Sequence, residues 1–201
     1  MANNLYNFSC DVGSGRKIAC NDSLGGVQKI YIMVYNDDIV GKFTLGAEVD
    51  GLNNEITDCS EAFTVYKFDL NPNVTSFTSN ITANPDNGSV FYDQVLEVAL
   101  NKIQRQDIQY LDQVIKGRCQ VWVLDANENV FFLGAKFGCT VTGGSMTTGL
   151  AKADRNGFNL TFTAQEPENY IMVSAGKGTA DYPFDTITGA TVTINAGAYP
   201  A

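Results

Sequence analysis

The pattern of apolar and polar positions predicts a mainly β chain, because most apolar runs are strand-length, β-branched and bounded by turn residues. Residues 27–35 (Val-Gln-Lys-Ile-Tyr-Ile-Met-Val-Tyr) predict a first strand, closed by Asn36-Asp37-Asp38. Residues 42–49 predict a weaker second one. Residues 61–70 alternate, with Ala62, Thr64, Tyr66 and Phe68 on one side, and end at Asn71-Pro72-Asn73. Residues 118–124 and 130–134, joined by Asp125-Ala126-Asn127-Glu128-Asn129, predict a hairpin. Residues 136–141 read as a further strand and 142–148 as a loop of small residues. A second hairpin is expected from 149–152 through Asp154-Arg155-Asn156-Gly157 into 158–163, with Gly157 supplying positive φ. Residues 170–173 and 190–194 are short strand candidates.

The central stretch has a different character. Residues 74–83 carry strand propensity but almost no apolar face, and Asn84-Pro85-Asp86-Asn87-Gly88 is a dense turn signal. In residues 89–100, Leu96, Val98 and Leu100 alternate as in a strand, while Val95, Ala99 and Ile103 suit a helix; the β-branched content and the preceding turn favour the strand. Two strands of about ten residues make a hairpin about 33 Å long. Its polar face must meet water and its edges want a neighbour. Residues 101–116 predict a helix with an apolar stripe of Ile103, Ile108, Leu111, Val114 and Ile115, Lys116 in its last turn and Gly117 as its stop.

A chain of 201 residues buries roughly 70% of its unfolded surface and needs no disulfide or metal to hold a core. The expected organisation is an N-terminal arm over 1–26, a β-sandwich or barrel with one flanking helix and a long hairpin over 27–173, and a Gly/Ala/Thr-rich arm over 174–201. Charge then narrows the chemistry. Thirteen Lys plus Arg against 22 Asp plus Glu leave −9, and there is no histidine. That removes Ser-His-Asp and Cys-His nucleophiles, histidine acid–base catalysis and every histidine-containing metal site. The acidic balance argues against a protein built to grip phosphates. Charged residues are 17% of the chain, against about 25% ordinarily, so the polar surface consists largely of Asn, Thr, Ser, Gln and Gly.

The first residues have neither a basic start nor an apolar stretch, so no secretory signal is read, and no apolar run reaches the roughly 18 residues of a membrane anchor. Cysteines 10, 20, 59, 119 and 139 are scattered and odd in number; reduced thiols are expected, with a Cys10–Cys20 bridge as the alternative. Gly13-Ser14-Gly15-Arg16-Lys17 lacks phosphate-loop spacing. Asp125-x-Asn127-x-Asn129 opens like a calcium loop but has Val130 and Lys136 where that loop needs Gly and Glu, so a hairpin turn is expected. No rule places Asp93 and Glu97 across a cleft as a carboxylate pair. No enzyme activity, cofactor or metal is implied.

The order of a polar hairpin, Asn87-Gly88 leading to Phe91-Tyr92-Asp93-Gln94-Val95-Leu96, a helix, a hairpin ending Phe132-Leu133-Gly134-Ala135, the segment 149–163 and the acidic Gln165-Glu166-Pro167-Glu168 resembles the tail-tube proteins of tailed bacteriophages. More distantly, it is similar to the tubes of contractile injection machines. The resemblance covers residues 63–173. It implies a β-sandwich flanked by a helix, hairpins from six subunits joined into one barrel around a channel, and stacked rings in a virion tail assembled in the host cytoplasm. The partners implied are further copies of the chain and other tail or connector proteins, with DNA passing unbound. On that reading Asn80, Thr82, Asp86, Asn87, Asp93, Gln94 and Glu97 line the channel. Residues 71–101 hold no Lys or Arg but do hold Asp86, Asp93 and Glu97. Such a surface slides past DNA instead of gripping it, because there are no cations to displace counterions from the phosphates. The alternative is a β-sandwich adhesion, receptor-binding or head-decoration module with a polar hairpin on its surface.

Overall fold

A computed structural model of the chain describes residues 23–46, 55–71, 74–169, 171–174 and 182–197. The protein is mainly β, as expected, and its strands form two sheets. Strands β1 (Val27–Val34), β2 (Phe43–Leu45), β3 (Glu55–Cys59), β4 (Phe63–Asp69), β7 (Cys119–Asp125), β8 (Asn129–Leu133), β11 (Ile171–Ser174) and β12 (Val192–Asn195) form an eight-stranded sheet in the order β12-β4-β1-β7-β8-β11-β3-β2. Strands β5 (Ser76–Asn84), β6 (Ser89–Asn101), β9 (Thr140–Thr147) and β10 (Gly157–Glu166) form a four-stranded sheet in the order β5-β6-β10-β9. A one-turn helix, α1 (Asp37–Val40), follows β1, and α2 (Arg105–Lys116) follows β6.

The larger sheet curls on itself. Thr188, just before β12 at one edge, bridges to Asp58 of β3 near the other. Its concave side holds one core, in which Trp122 stacks on Phe132 with ring centroids 3.8 Å apart and Tyr31, Phe43, Phe63 and Phe184 close around them. Its convex side packs against the four-stranded sheet and Leu111 of α2. There Ile30, Ile32, Val121 and Val123 meet Leu96, Val98, Leu160 and Phe162. Strand β7 lies between both cores and is buried at six successive positions. Its sequence is accordingly a run of apolar residues broken only by Gln120. The Gln120 amide is satisfied by donating to the Ala135 carbonyl at 2.7 Å.

Several expectations change. The hairpin partner of β10 is β9, not residues 149–152, and what the small residues suggested was a loop at 142–148 is strand through Thr147. Glycine lowers strand propensity, but Gly144 pairs with Leu160 where a Cβ would lie 2.6 Å from the Asn159 carbonyl oxygen. Residues 135–137 turn instead of forming the start of a strand. Gly157 does not occupy a positive-φ turn; it opens β10 beside β6, where a Cβ would fall 2.0 Å from the Leu100 oxygen.

The helix starts at Arg105 because Asn101 still belongs to β6, and only Leu111 of its stripe is fully buried; Ile108 and Ile115 are exposed. In β4 the core-facing residues are Phe63 and Val65, whereas Phe68 packs on the other side of the sheet. The C-terminal segment is no simple arm: Phe184, Ile187 and Val192 are buried, and β12 pairs parallel with β4. Val49, Cys10, Cys20 and the N-terminal arm through residue 22 lie outside the described residues, as does Tyr170.

Candidate functional site

The strand reading of residues 89–100 is the one the fold adopts, and it makes the four-stranded sheet two-faced. Strand β6 pairs with β5 on one side, Ser76 opposite Glu97 through Asn84 opposite Ser89, and with β10 on the other, Gly157 opposite Asn101 through Glu166 opposite Tyr92. Alternation sends Leu96, Val98, Phe158, Leu160 and Phe162 into the core. The opposite face carries Ser76, Thr78, Asn80 and Thr82 of β5, Phe91, Asp93, Val95, Glu97 and Ala99 of β6, and Asn159, Thr161, Thr163 and Gln165 of β10. Ser145 and Thr147 of β9 complete it.

None of the four strands contains a lysine or arginine. The cation-free stretch seen along the sequence is therefore half of a larger cation-free surface, completed by β9 and β10. Arg155 stands at one end of that face, just before β10. Its guanidinium is engaged by Asn101 Oδ1 at 2.9 Å, Asn159 Oδ1 at 2.6 Å and the carbonyls of Leu100 and Phe158.

Of the seven residues expected on a channel wall, Asn80, Thr82, Asp93 and Glu97 share this face. Thr82 donates to Asp93 Oδ2 at 3.0 Å, Gln165 Nε2 donates to Asp93 Oδ1 at 2.8 Å, and Asn80 sits directly opposite Asp93. Ser76 donates to Glu97 Oε2 at 3.5 Å. Asp86 and Asn87 lie instead in the tip turn, where Asn87 Oδ1 accepts from the Ser89 N–H at 3.0 Å.

Gln94 is a correction. One residue after Asp93, it points to the other side, is 1% exposed, and accepts from the Gly134 N–H at 3.1 Å. A period of two cannot put both Asp93 and Gln94 on one wall. Asp93 and Glu97, four positions apart on one strand, have Cα atoms about 13 Å apart.

The sequence reading missed the contributions of β9 and β10. The alternation of Asn159, Thr161 and Thr163 with Phe158, Leu160 and Phe162 carried the signal for β10; the two adjacent glycines of β9 concealed the rest. It also missed Glu166. This carboxylate is 3% exposed and accepts from the backbone N–H groups of Phe137 at 2.8 Å and Lys136 at 3.2 Å. Burial pushes its pKa up, against the opposing pull of those two N–H groups. Together Gln94 and Glu166 brace the strap 134–139 that carries the chain from the larger sheet to β9. A cleft of about 670 Å³ lies beside this strap, lined by Phe91, Phe137, Thr163 and Gln165 among others.

Two further features frame the face. The β5–β6 hairpin runs past the end of β10, whose last partner is Tyr92, so among the described residues its distal part is a two-stranded ribbon; Val90 within it and Ile81 at its start are exposed. Among the described residues, strands β5 and β9 each pair on one side only, leaving both edges of the sheet without a strand neighbour.

The Asp125 turn is a hairpin turn with no room for the calcium-loop reading. Asp125 Oδ1 accepts the N–H groups of Asn127 and Asn129 at 2.9 and 2.7 Å, and Oδ2 accepts from their side-chain amides. Among the described residues no cluster of three His, Cys, Asp or Glu is placed to hold a metal ion, and no helix is long and apolar enough to cross a membrane. Compared with known proteins, the chain matches no family model, no curated protein and no solved structure.

Proposed function

We propose that this protein is a self-assembling ring subunit of tail-tube type, whose four-stranded sheet forms one segment of the wall of a DNA-conducting channel. The observation that carries the reading is the cation-free face bounded by two edges that have no strand partner among the described residues. All three pairings within the sheet are antiparallel, so β5 and β9 run in opposite directions. Rotating one copy about an axis roughly along the strands sets the β5 edge of one subunit against the β9 edge of the next, again antiparallel. A head-to-tail arrangement of this kind closes into a ring and removes both open edges.

Six copies, the number the resemblance implies, give 24 strands. At about 4.8 Å between strands the wall is about 37 Å across before strand tilt widens it, which accommodates a DNA duplex. The distal hairpin, with Ile81 and Val90 exposed, is long enough to reach beyond its own subunit and gain the cover it lacks. A wall of Ser, Thr, Asn and Gln with Phe91, Val95, Asp93 and Glu97 has no cation to release counterions from passing phosphates, which favours transit over binding.

Negative-stain microscopy and light scattering of the purified full-length chain test this directly. Rings or tubes with a central channel are expected. A strictly monomeric species at high protein concentration and at several salt concentrations would overturn the reading in favour of a monomeric binding module.

A further inference from the structure

We propose that Cys119 and Cys139 form a disulfide that staples the two sheets together under oxidising conditions. Cys119 opens β7 of the eight-stranded sheet, and Cys139 immediately precedes β9 of the four-stranded sheet. The two residues face each other in an isolated antiparallel bridge and exchange both backbone hydrogen bonds, Cys119 N–H to the Cys139 oxygen at 3.0 Å and the reverse at 2.7 Å. Residues paired this way have Cα atoms about 5.5 Å apart, inside the 4.4–6.8 Å window that a disulfide spans. Their sulfurs are 3.4 Å apart. Closing the bond needs an approach of about 1.4 Å, within reach of small side-chain rotations.

Cys59, the third described thiol, lies in the other core and donates to the Glu61 oxygen, so it does not compete as a partner. Both members of the pair are nearly inaccessible, at 3% and 0% exposure. Cys139 is further held in its protonated form by the Cys119 thiol and by burial. Since the thiolate is the attacking species, the exchange proceeds through local opening of the strap 134–139 or during folding.

The balanced step consumes one small-molecule disulfide such as oxidised glutathione. One cysteine thiolate attacks it, forming a mixed disulfide and releasing one small thiol. The second cysteine thiolate then displaces the other small thiol. The two protein thiols are thereby oxidised by two electrons, and the small disulfide is reduced to two thiols, which carry away the two protons. The product ties the start of β7 to the entry of β9, beside the strap already braced by Gln94 and Glu166.

Peptide mapping of the full-length protein tests the bond itself. Trypsin cuts after Arg118, Lys136 and Lys152, so the two cysteines fall on separate peptides, 119–136 and 137–152. The protein is unfolded and refolded in oxidised and reduced glutathione, acid-quenched, alkylated and digested. A single linked peptide joining Cys119 to Cys139, with Cys59 alkylated and the link lost in dithiothreitol, is expected. Recovery of both cysteines as alkylated peptides, or linked to other cysteines, overturns the proposal.

The stapling effect is read from melting. For two cysteines twenty positions apart, the oxidised protein is expected to melt about 5–10 °C above the reduced one. Cys139→Ala and Cys119→Ser are expected to lose that difference. Equal melting temperatures for linked and reduced wild-type protein would overturn the stapling role, and this comparison holds even where a variant fails to fold.

Discussion

Strands β7 and β10 lie on opposite sides of one core, yet they live in different surroundings. β7 is buried at six consecutive positions because a core covers each of its faces, whereas β10 buries its apolar residues on one side and leaves Asn159, Thr161, Thr163 and Gln165 on the other. The eight-stranded sheet spends both faces on stability. The four-stranded sheet spends one; its other face is solvent-facing and, among the described residues, neither of its edges has a strand neighbour. On the function proposed above, the working surface belongs to the four-stranded sheet.

The sharpest way to break that contrast is to compare a substitution in each sheet. Trp122→Ala removes a fully buried ring stacked on Phe132 and is expected to cost about 3–5 kcal/mol. Asn80→Ala, on the exposed face, is expected to change the stability of the isolated subunit by less than about 0.5 kcal/mol. Denaturant titration of both variants checks this, and a large loss for Asn80→Ala would mean that the polar face is already engaged within one chain.

The edges come next. Neighbouring residues of an edge strand direct their N–H groups alternately inward to the ladder and outward to the open side. Asn80→Pro and Ile81→Pro on β5 should therefore differ: one breaks a bond to β6 and destabilises the fold, the other spares the fold and blocks only edge pairing. The second variant is expected to remain folded by circular dichroism while needing at least about tenfold more protein to assemble. Assembly unaffected by both would remove β5 from the subunit contact.

The smallest effect is a pH dependence beside the strap 134–139. Burial raises the Glu168 pKa to about 7, with Lys136 pulling it down and Glu166 pushing it up, and Glu166 itself is raised by burial. The folded protein thus holds these protons more tightly than the unfolded chain. Their stabilising contribution is complete below the unfolded carboxyl value of about 4.3 and fades as pH rises through about 7. A modest fall in melting temperature between pH 5 and pH 8, flattened in Glu168→Gln, is expected. An unchanged slope in that variant would assign the effect elsewhere.

Much of the fold was legible. The strands β1, β7 and β8 are apolar, β-branched and sharply bounded, and the hairpin of β5 and β6 follows from its turn and from the alternation of Leu96, Val98 and Leu100. Strand β9 was not legible, because Gly143 and Gly144 have no side chain with which to register a period. The requirement for Gly144 comes from the Asn159 backbone across the sheet, not from its own sequence neighbours. Gln94 misled for a related reason. A polar residue among acids reads as surface, and only the Gly134 N–H of a distant strap explains why it is inside.

What the sequence determined by itself is therefore local: the strand-forming segments, the polar hairpin, and the absence of histidine and of cations between residues 71 and 101. These depend on side-chain chemistry and short-range periodicity, which neighbours along the chain settle. Only the tertiary structure decided that β9 and β10 extend the cation-free face and that Cys119 and Cys139 meet across two sheets. It also decided that residues 182–197 return to close the larger sheet. Those outcomes are pairings between segments distant in sequence, fixed by hydrogen-bond register and by the burial of both faces of β7, and no local pattern encodes them.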